Sequence, residues 1–329
     1  MIDPEQLQVF IATYRRPEML ARQLDSLLDQ TFRPQEITVL DNASNEATRQ
    51  IVESRAQRGA RYVDTSALGP LGNMKFAISH AHETGYVAVF HDDDCVASTY
   101  FESVAKVISS AAPGKYSVVV GACRKCGLDD ICLPSEPPHT RGLVLNGVGW
   151  ALHTYVGESG KYPFAFYRAD RFKTLDIDRL YADYGRTCDN AVLLQTVGKD
   201  GRAAWLSYTF CVYVLHPGQD GMNPVTLPDI SVFARLGALY ARFMGTSLRT
   251  LSGFTYVFLC SRGLRSAYKR RGRKTLTYKE YLSLARKLGA LPSAHHLFHG
   301  LSNHLTQKWV RRFAVWMLAR REVELTKSR

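Results

Sequence analysis

The chain has no apolar run long enough to cross a bilayer. Spanning takes roughly 18 to 20 apolar residues, and the longest candidate, residues 253–260 (GFTYVFLC), stops well short. The opening residues, MIDPEQLQVF, show no basic stretch followed by an apolar one, so no secretion signal is expected. Together these absences point to a cytoplasmic protein or one held peripherally on a membrane. The cysteines form no even, regularly spaced framework. There are seven, Cys95, Cys123, Cys126, Cys132, Cys188, Cys211 and Cys260, and an odd scattered set argues for reduced thiols. Cys123-Arg-Lys-Cys126 with Cys132 lacks a second such pair or a spaced histidine pair, so it reads either as a metal or redox site or as incidental thiols in a loop. Internal repeats, low-complexity tracts and recognisable nucleic-acid-binding motifs are also missing.

Acidic residues are scarce in one region. Residues 229–329 hold four acids (Asp229, Glu280, Glu322, Glu324) against 20 Lys and Arg, while residues 1–228 hold 26 against 22. A slightly acidic domain, 1–228, is thus followed by a basic region, 229–329, and the asymmetry suggests an anionic surface as partner. Pro224 and Pro228 mark the boundary. Beyond it helices are expected over 230–244, 251–270, 278–288 and 297–323. The last carries Leu301, Leu305, Trp309, Phe313, Trp316 and Met317 at helical spacing among Lys308, Arg311, Arg312, Arg320 and Arg321. Such a helix suits a membrane interface, or packing on its own domain or a second subunit.

What is present before residue 229 is a regular alternation. Apolar runs of strand length occur at 7–13, 36–40, 61–63, 86–90, 116–120, 162–168 and 203–215. Helical patterns lie between them at 17–28, 45–58, 72–84, 98–111 and 189–198. Pro17 suits a helix start, and Ser44 is the expected cap of the second helix. Strands alternating with helices imply an α/β fold with a mostly parallel sheet. The pattern loosens over 121–160, where prolines and glycines suggest loops or a β excursion, a common place for substrate contacts.

The fourth apolar run, Tyr86 to Phe90, stops at Asp92, Asp93 and Asp94. In an open α/β sheet, ligands bind at the carboxyl ends of strands. Three adjacent carboxylates repel one another unless they are solvated or hold a cation. Mg²⁺ or Mn²⁺ is the natural guest, commonly with a phosphate; the alternative is a solvated acidic loop. Thr13-Tyr14-Arg15-Arg16-Pro17, Asp41-Asn42-Ala43-Ser44, Gly72-Asn73-Met74-Lys75 and His216-Pro-Gly-Gln219 all fall at strand ends or helix starts. A parallel sheet would gather them along the same edge.

Those motifs, with Phe90-His-Asp-Asp-Asp94 and Cys188-Asp-Asn190, together resemble a family 2 glycosyltransferase over about residues 5–222. The resemblance implies a GT-A fold and an inverting transfer from a nucleotide sugar, most simply UDP-linked. It implies that Thr13, Tyr14, Arg15, Asp41, Asn73 and Lys75 line the donor pocket, with Asp93 toward the ribose. The triple Asp resembles the DXD motif, with Asp94 as main metal ligand, Asp92 as second ligand, and His216 closing over metal or diphosphate. His91 stands where the family often has another Asp. Asp189 is the expected base, or else simply a helix cap; Asp183 is the runner-up. The expected acceptor is a glycan, free or lipid-linked, as in bacterial surface polysaccharide synthesis. The basic region would then dock on the inner face of the plasma membrane or join copies of the chain, and no nucleic acid is expected as partner. A sugar-phosphate nucleotidyltransferase is a second reading, though the first strand is followed by no glycine-rich loop. A non-catalytic binding or tethering protein is a third.

Overall fold

The computed structural model describes residues 2–131, 141–155, 162–216, 227–245 and 323–324. Strands β1 (Leu7–Thr13), β2 (Ile37–Asp41), β3 (Ala60–Asp64) and β4 (Tyr86–His91) alternate with helices α1 (Pro17–Leu28), α2 (Glu46–Glu53) and α3 (Gly72–Ser79). There follow β5 (Cys95–Val96), α4 (Tyr100–Ser109), β6 (Val118–Gly127), β7 (Arg141–Asn146), α5 (Gly147–Tyr155) and β8 (Ala165–Arg168). The described part ends with α6 (Ala169–Phe172), α7 (Ile177–Tyr184), α8 (Cys188–Val197), β9 (Arg202–Leu215), α9 (Leu227–Phe243) and β10 (Val323–Glu324).

All ten strands belong to one sheet, ordered β10-β7-β9-β6-β8-β4-β1-β2-β3, with β5 paired to β9 off this path. β1 pairs in parallel with both β2 and β4, and β2 with β3. β8 is inserted antiparallel between β4 and β6, and β6 runs parallel to β9. Hence β1, β2, β3, β4, β6, β9 and β10 share one direction, and the sheet is mostly parallel. Registers such as Thr13 opposite Asp41 and Ala12 opposite His91 bring the ends of β1, β2 and β4 level.

The sequence explains this core. All five residues of β2 are buried, as are Tyr86 to Phe90 of β4, the continuous apolar pattern of strands covered on both faces. Helix α1 starts with Pro17 at its first turn, where the missing amide is harmless, and buries Leu20, Leu24, Leu27 and Leu28. Gly85, just before β4, has φ +85°, and a Cβ there would lie 2.4 Å from the Gln6 carbonyl oxygen. Only glycine permits that approach of β4 to the start of β1. Beneath the site, Phe101 and Phe166 meet edge to face at 5.0 Å and Tyr100 packs 5.4 Å from Phe210. The Tyr100 hydroxyl accepts from the Gly121 amide at 2.8 Å and donates to the Phe164 carbonyl.

Several elements differ from expectation. The cap of α2 is Asn45, whose side chain accepts from the Thr48 amide; Ser44 sits at φ +50° and donates instead to Asp64. Helix α3 stops at Ser79, not at residue 84. The region 121–160 begins as an extension of β6 and contains β7 and α5. Helix α7 falls where no element was expected. Helix α9 begins at Leu227, and Leu236, Leu239, Tyr240 and Phe243 are buried in the same core as the sheet. The division between residues 228 and 229 thus falls inside a helix that packs on the sheet domain. The helices expected over 251–270, 278–288 and 297–323 lie outside the described residues, apart from Val323, which lies in β10. Among the described residues no helix is long and apolar enough to cross a membrane.

Candidate active site

The site forms where β4 ends. Its strand hydrogen bonds stop at His91, and Asp92, Asp93 and Asp94 turn back into the protein at 0%, 3% and 0% exposure. These carboxylates are therefore not a solvated loop. Their partners come from β1 and β9, the strands whose ends lie nearest. Thr13 Oγ1 donates to Asp92 Oδ2 at 2.6 Å, and the Tyr14 amide donates to the same oxygen at 3.3 Å. Arg16 spans two of the acids, with Nη2 3.1 Å from Asp92 Oδ1 and Nη1 2.8 Å from Asp93 Oδ2. His216 Nε2 lies 2.8 Å from Asp93 Oδ2. The Val214 amide donates to Asp94 Oδ1 at 3.1 Å, and Asp94 Oδ2 is buried with no hydrogen-bond partner.

The electrostatics follow from burial. Asp92 is pushed up by loss of water, and Arg16 and the Thr13 hydroxyl pull it partly back. Asp94 is driven well above the usual carboxylate range by burial and by the neighbouring Asp93. A divalent cation would relieve that cost. His91, Asp93 and Asp94 each offer one ligand atom, and these atoms lie within 4.8 Å of one another. Buried carboxylates with one imidazole form a donor set that such ions accept, and the unsatisfied Asp94 oxygen is the atom that most needs one.

The metal set expected from sequence was Asp94, Asp92 and His216. The structure groups Asp94 with His91 and Asp93. Asp92 is met by Thr13, Tyr14 and Arg16, and His216 lies on Asp93. Strain marks the same edge: Arg15 at the end of β1 has φ +56°, and Ser44 at the end of β2 has φ +50°. Left-handed backbone at a residue other than glycine costs on the order of 1 kcal/mol and tends to accumulate at functional sites. The turn at Arg15 lets Arg16, not Arg15, reach the acids, while the Arg15 guanidinium lies 5.2 Å from the centre of the Tyr14 ring. Tyr14 is half exposed beside them.

The other donor-pocket residues are arranged around this edge. Asp41 is buried and closes the turn after β2, accepting from the Ala43 and Asn45 amides at 2.9 and 2.7 Å and from the Tyr62 hydroxyl at 3.1 Å. Asn73 accepts from Thr65 Oγ1 and donates to the Thr13 carbonyl at 3.3 Å, tying α3 to the end of β1. Lys75 pairs with Asp178 of α7, its Nζ 2.9 Å from Asp178 Oδ1. Asp189 lies in the first turn of α8, whose N-cap residue is Thr187. Its Oδ1 accepts from the Asn190 amide at 2.8 Å and from Asn190 Nδ2 at 2.9 Å.

Tyr213 of β9 is partly buried. Burial, and after it the negative charges of Asp94, Asp93 and Asp189, push its phenol up to about 12. Tyr162, also close enough to feel Asp189, stands 5.9 Å from the His91 ring. Asp183 is set apart on α7. It lies 3.9 Å from Arg179 and lines, with Asp176, Tyr184 and Arg242, a separate cavity of about 340 Å³. Sequence reasoning missed the contacts of Arg16 with Asp92 and Asp93, since Arg16 was legible only as one of a basic pair.

Comparison with known proteins fits this arrangement. Residues 8–131 match the model of Glycosyl transferase family 2. The galactofuranosyltransferase GlfT1 of Mycobacterium tuberculosis is 28% identical over 156 residues, 47% of this chain and 50% of its own length. The chain thus spans about half the length of the curated relatives it matches. Crystal structures of S. aureus TarS share the fold. The complex with UDP has TM-score 0.56 at 16% identity, and the complex with UDP-GlcNAc 0.57 at 16%; each alignment covers 86% of this chain and 79% of that one.

Proposed function

From the match of residues 8–131 to the model of Glycosyl transferase family 2, we propose that the chain is an inverting, cation-dependent glycosyltransferase using a UDP-sugar. The observation that carries the proposal is Asp94. A buried carboxylate with an unsatisfied oxygen at the end of a parallel strand, grouped with Asp93 and His91, is the arrangement that holds a cation and a diphosphate. The choice of UDP rests on the nucleotides named in the TarS structures.

In this reading Thr13, Tyr14, Asp41 and Asn73 bind base and ribose, and Arg16 holds Asp92 and Asp93 in place. A cation on His91, Asp93 and Asp94 would supply Lewis-acid neutralisation of the charge that develops on the departing diphosphate. Asp189 takes the proton from an acceptor hydroxyl as that oxygen attacks the anomeric carbon. The carbon–oxygen bond to the diphosphate breaks on the opposite face, and the nucleoside diphosphate leaves with the electron pair. Calorimetric titration of UDP into the full chain tests the site. Binding should require Mn²⁺, vanish with EDTA and be lost in Asp94→Ala; equal binding with EDTA would refute it.

The acceptor is proposed to be a glycan on a lipid carrier, and the basic region to hold the enzyme at the inner face of the plasma membrane. Each Lys or Arg near an anionic leaflet contributes on the order of 1 kcal/mol, and residues 229–329 carry 20 of them. Full-length protein should pellet with vesicles rich in anionic lipid and stay soluble with neutral ones; the same pelleting with both would remove the electrostatic argument.

A further inference from the structure

We propose that Cys123 and Cys211 are a reversible thiol–disulfide pair, a site of oxidative modification that ties β6 to β9 next to the segment holding the triple Asp. The inference stands independently of the transferase reading. From sequence, Cys123-Arg-Lys-Cys126 is open between a metal or redox site and incidental thiols. The fold separates its two cysteines. Both lie in strand β6. Three residues along a strand span about 10 Å, and the odd spacing puts them on opposite faces. The packing agrees: Cys123 lies against the main core, to which Cys211 belongs, while Cys126 packs against a separate cluster of Cys95, Val212 and Val214. The motif therefore does not close on itself.

Cys123 meets Cys211 instead. The two are directly paired across the parallel ladder of β6 and β9. Neighbouring strands lie about 4.8 Å apart, and a disulfide spans Cα separations of about 4.4–6.8 Å. The ladder shifts register immediately before Cys123. Such an irregularity lets a strand bend locally, which gives the sulfurs room to reach bonding distance. Burial, and after it the neighbouring Cys123, push the Cys211 thiol well up. Cys95 reaches neither partner. It is paired with Val212, and its neighbour Val96 with Cys211, so it lies on the other face from Cys211, and β9 stands between it and Cys126. Cys211 is fully buried and Cys123 partly exposed, so Cys123 is the sulfur that an oxidant in solution meets.

The oxidant is a low-molecular-weight disulfide. The Cys123 thiolate attacks one of its sulfurs, forming a mixed disulfide and releasing one thiol. The Cys211 thiolate then attacks the Cys123 sulfur, closing the bond and releasing the second thiol. The two protons lost by the protein leave on the two released thiols, and excess thiol reverses both steps. Closure draws β6 and β9 together shortly before Val214, whose amide holds Asp94, and His216, which lies on Asp93.

The test treats the reduced full chain with oxidised glutathione, alkylates the remaining thiols and maps the peptides by mass spectrometry. Native protein should lose two of its seven thiols into one bond joining Cys123 to Cys211, and dithiothreitol should restore both. Cys126→Ser should behave as native. Cys211→Ser should stop at glutathione held on Cys123, and Cys123→Ser should leave Cys211 unmodified. The native protein decides the pairing even where a serine variant fails to fold. Amide exchange of the stretch containing Val214 should slow in the oxidised protein. Cys123 joined to Cys126 or to any cysteine besides Cys211, or alkylated as fully after oxidation as before, would overturn the pair. The bond formed with unchanged exchange at Val214 would overturn its link to the triple Asp.

Discussion

Replacing Asp94 by Asn separates what the carboxylate costs the fold from what it gives the site. Asp94 is fully buried, one oxygen accepts from the Val214 amide, and the other has no hydrogen-bond partner. Asparagine keeps the first bond and removes a buried charge next to Asp93. Leaving a buried polar group unsatisfied costs about 1–3 kcal/mol, more for a charge, so the metal-free variant should gain about 1–2 kcal/mol. For a domain of this size that is about 2–4 °C per kcal/mol. The cation response should move oppositely. Mn²⁺ at 100 times its Kd stabilises by about 2.7 kcal/mol, on the order of 5–10 °C in the native protein, and the gain should disappear in the variant. Thermal denaturation in EDTA and in saturating Mn²⁺ reads both numbers. A variant that melts lower in EDTA and keeps the Mn²⁺ shift would refute the reasoning, because Asp94 would then be an ordinary structural acid.

Asp189→Asn should leave UDP binding within about twofold and lower kcat by about 10²- to 10⁴-fold, the usual scale for a lost general base; unchanged turnover would pass the role to another residue. His153 gives a prediction about stability. It is buried against Trp150 and Trp205, and burial lowers its pKa from 6.5 to about 4. The unfolded chain binds this proton more readily, so stability is present above pH 6.5 and falls as pH drops toward 4. The loss is on the order of 3 kcal/mol. Denaturant unfolding of wild type and His153→Phe over that window should show the steeper slope in wild type, and parallel curves would contradict it.

The sheet was largely legible because its strands announce themselves. Tyr86 to Phe90 and Ile37 to Leu40 are buried on both faces, so their apolar runs are unbroken. β7 and α7 were not, because their signals are short and interrupted: β7 mixes three buried with three exposed residues, and α7 has three buried side chains in eight residues. Within the candidate site, the triple Asp and Thr13 stood out from their place at the ends of strands, and Asp189 from its place at a helix start. The division of labour among the acids could not. It depends on the left-handed turn at Arg15, which swings Arg16 onto Asp92 and Asp93, and on β9 returning His216 and Val214 from more than a hundred residues away. No local spacing encodes that meeting. The ion pair between Lys75 and Asp178 of α7 is likewise invisible in the local sequence.

The central claim is that this edge of the sheet transfers a sugar from UDP. The most direct measurement is release of UDP from a panel of UDP-sugars, UDP-GlcNAc and UDP-galactofuranose among them, by the full chain in Mn²⁺. The account predicts release from at least one donor, abolished by EDTA and by Asp94→Ala. UDP bound at the site with no release from any donor, with or without glycan acceptors, would contradict it and favour a protein that holds the nucleotide without acting on it.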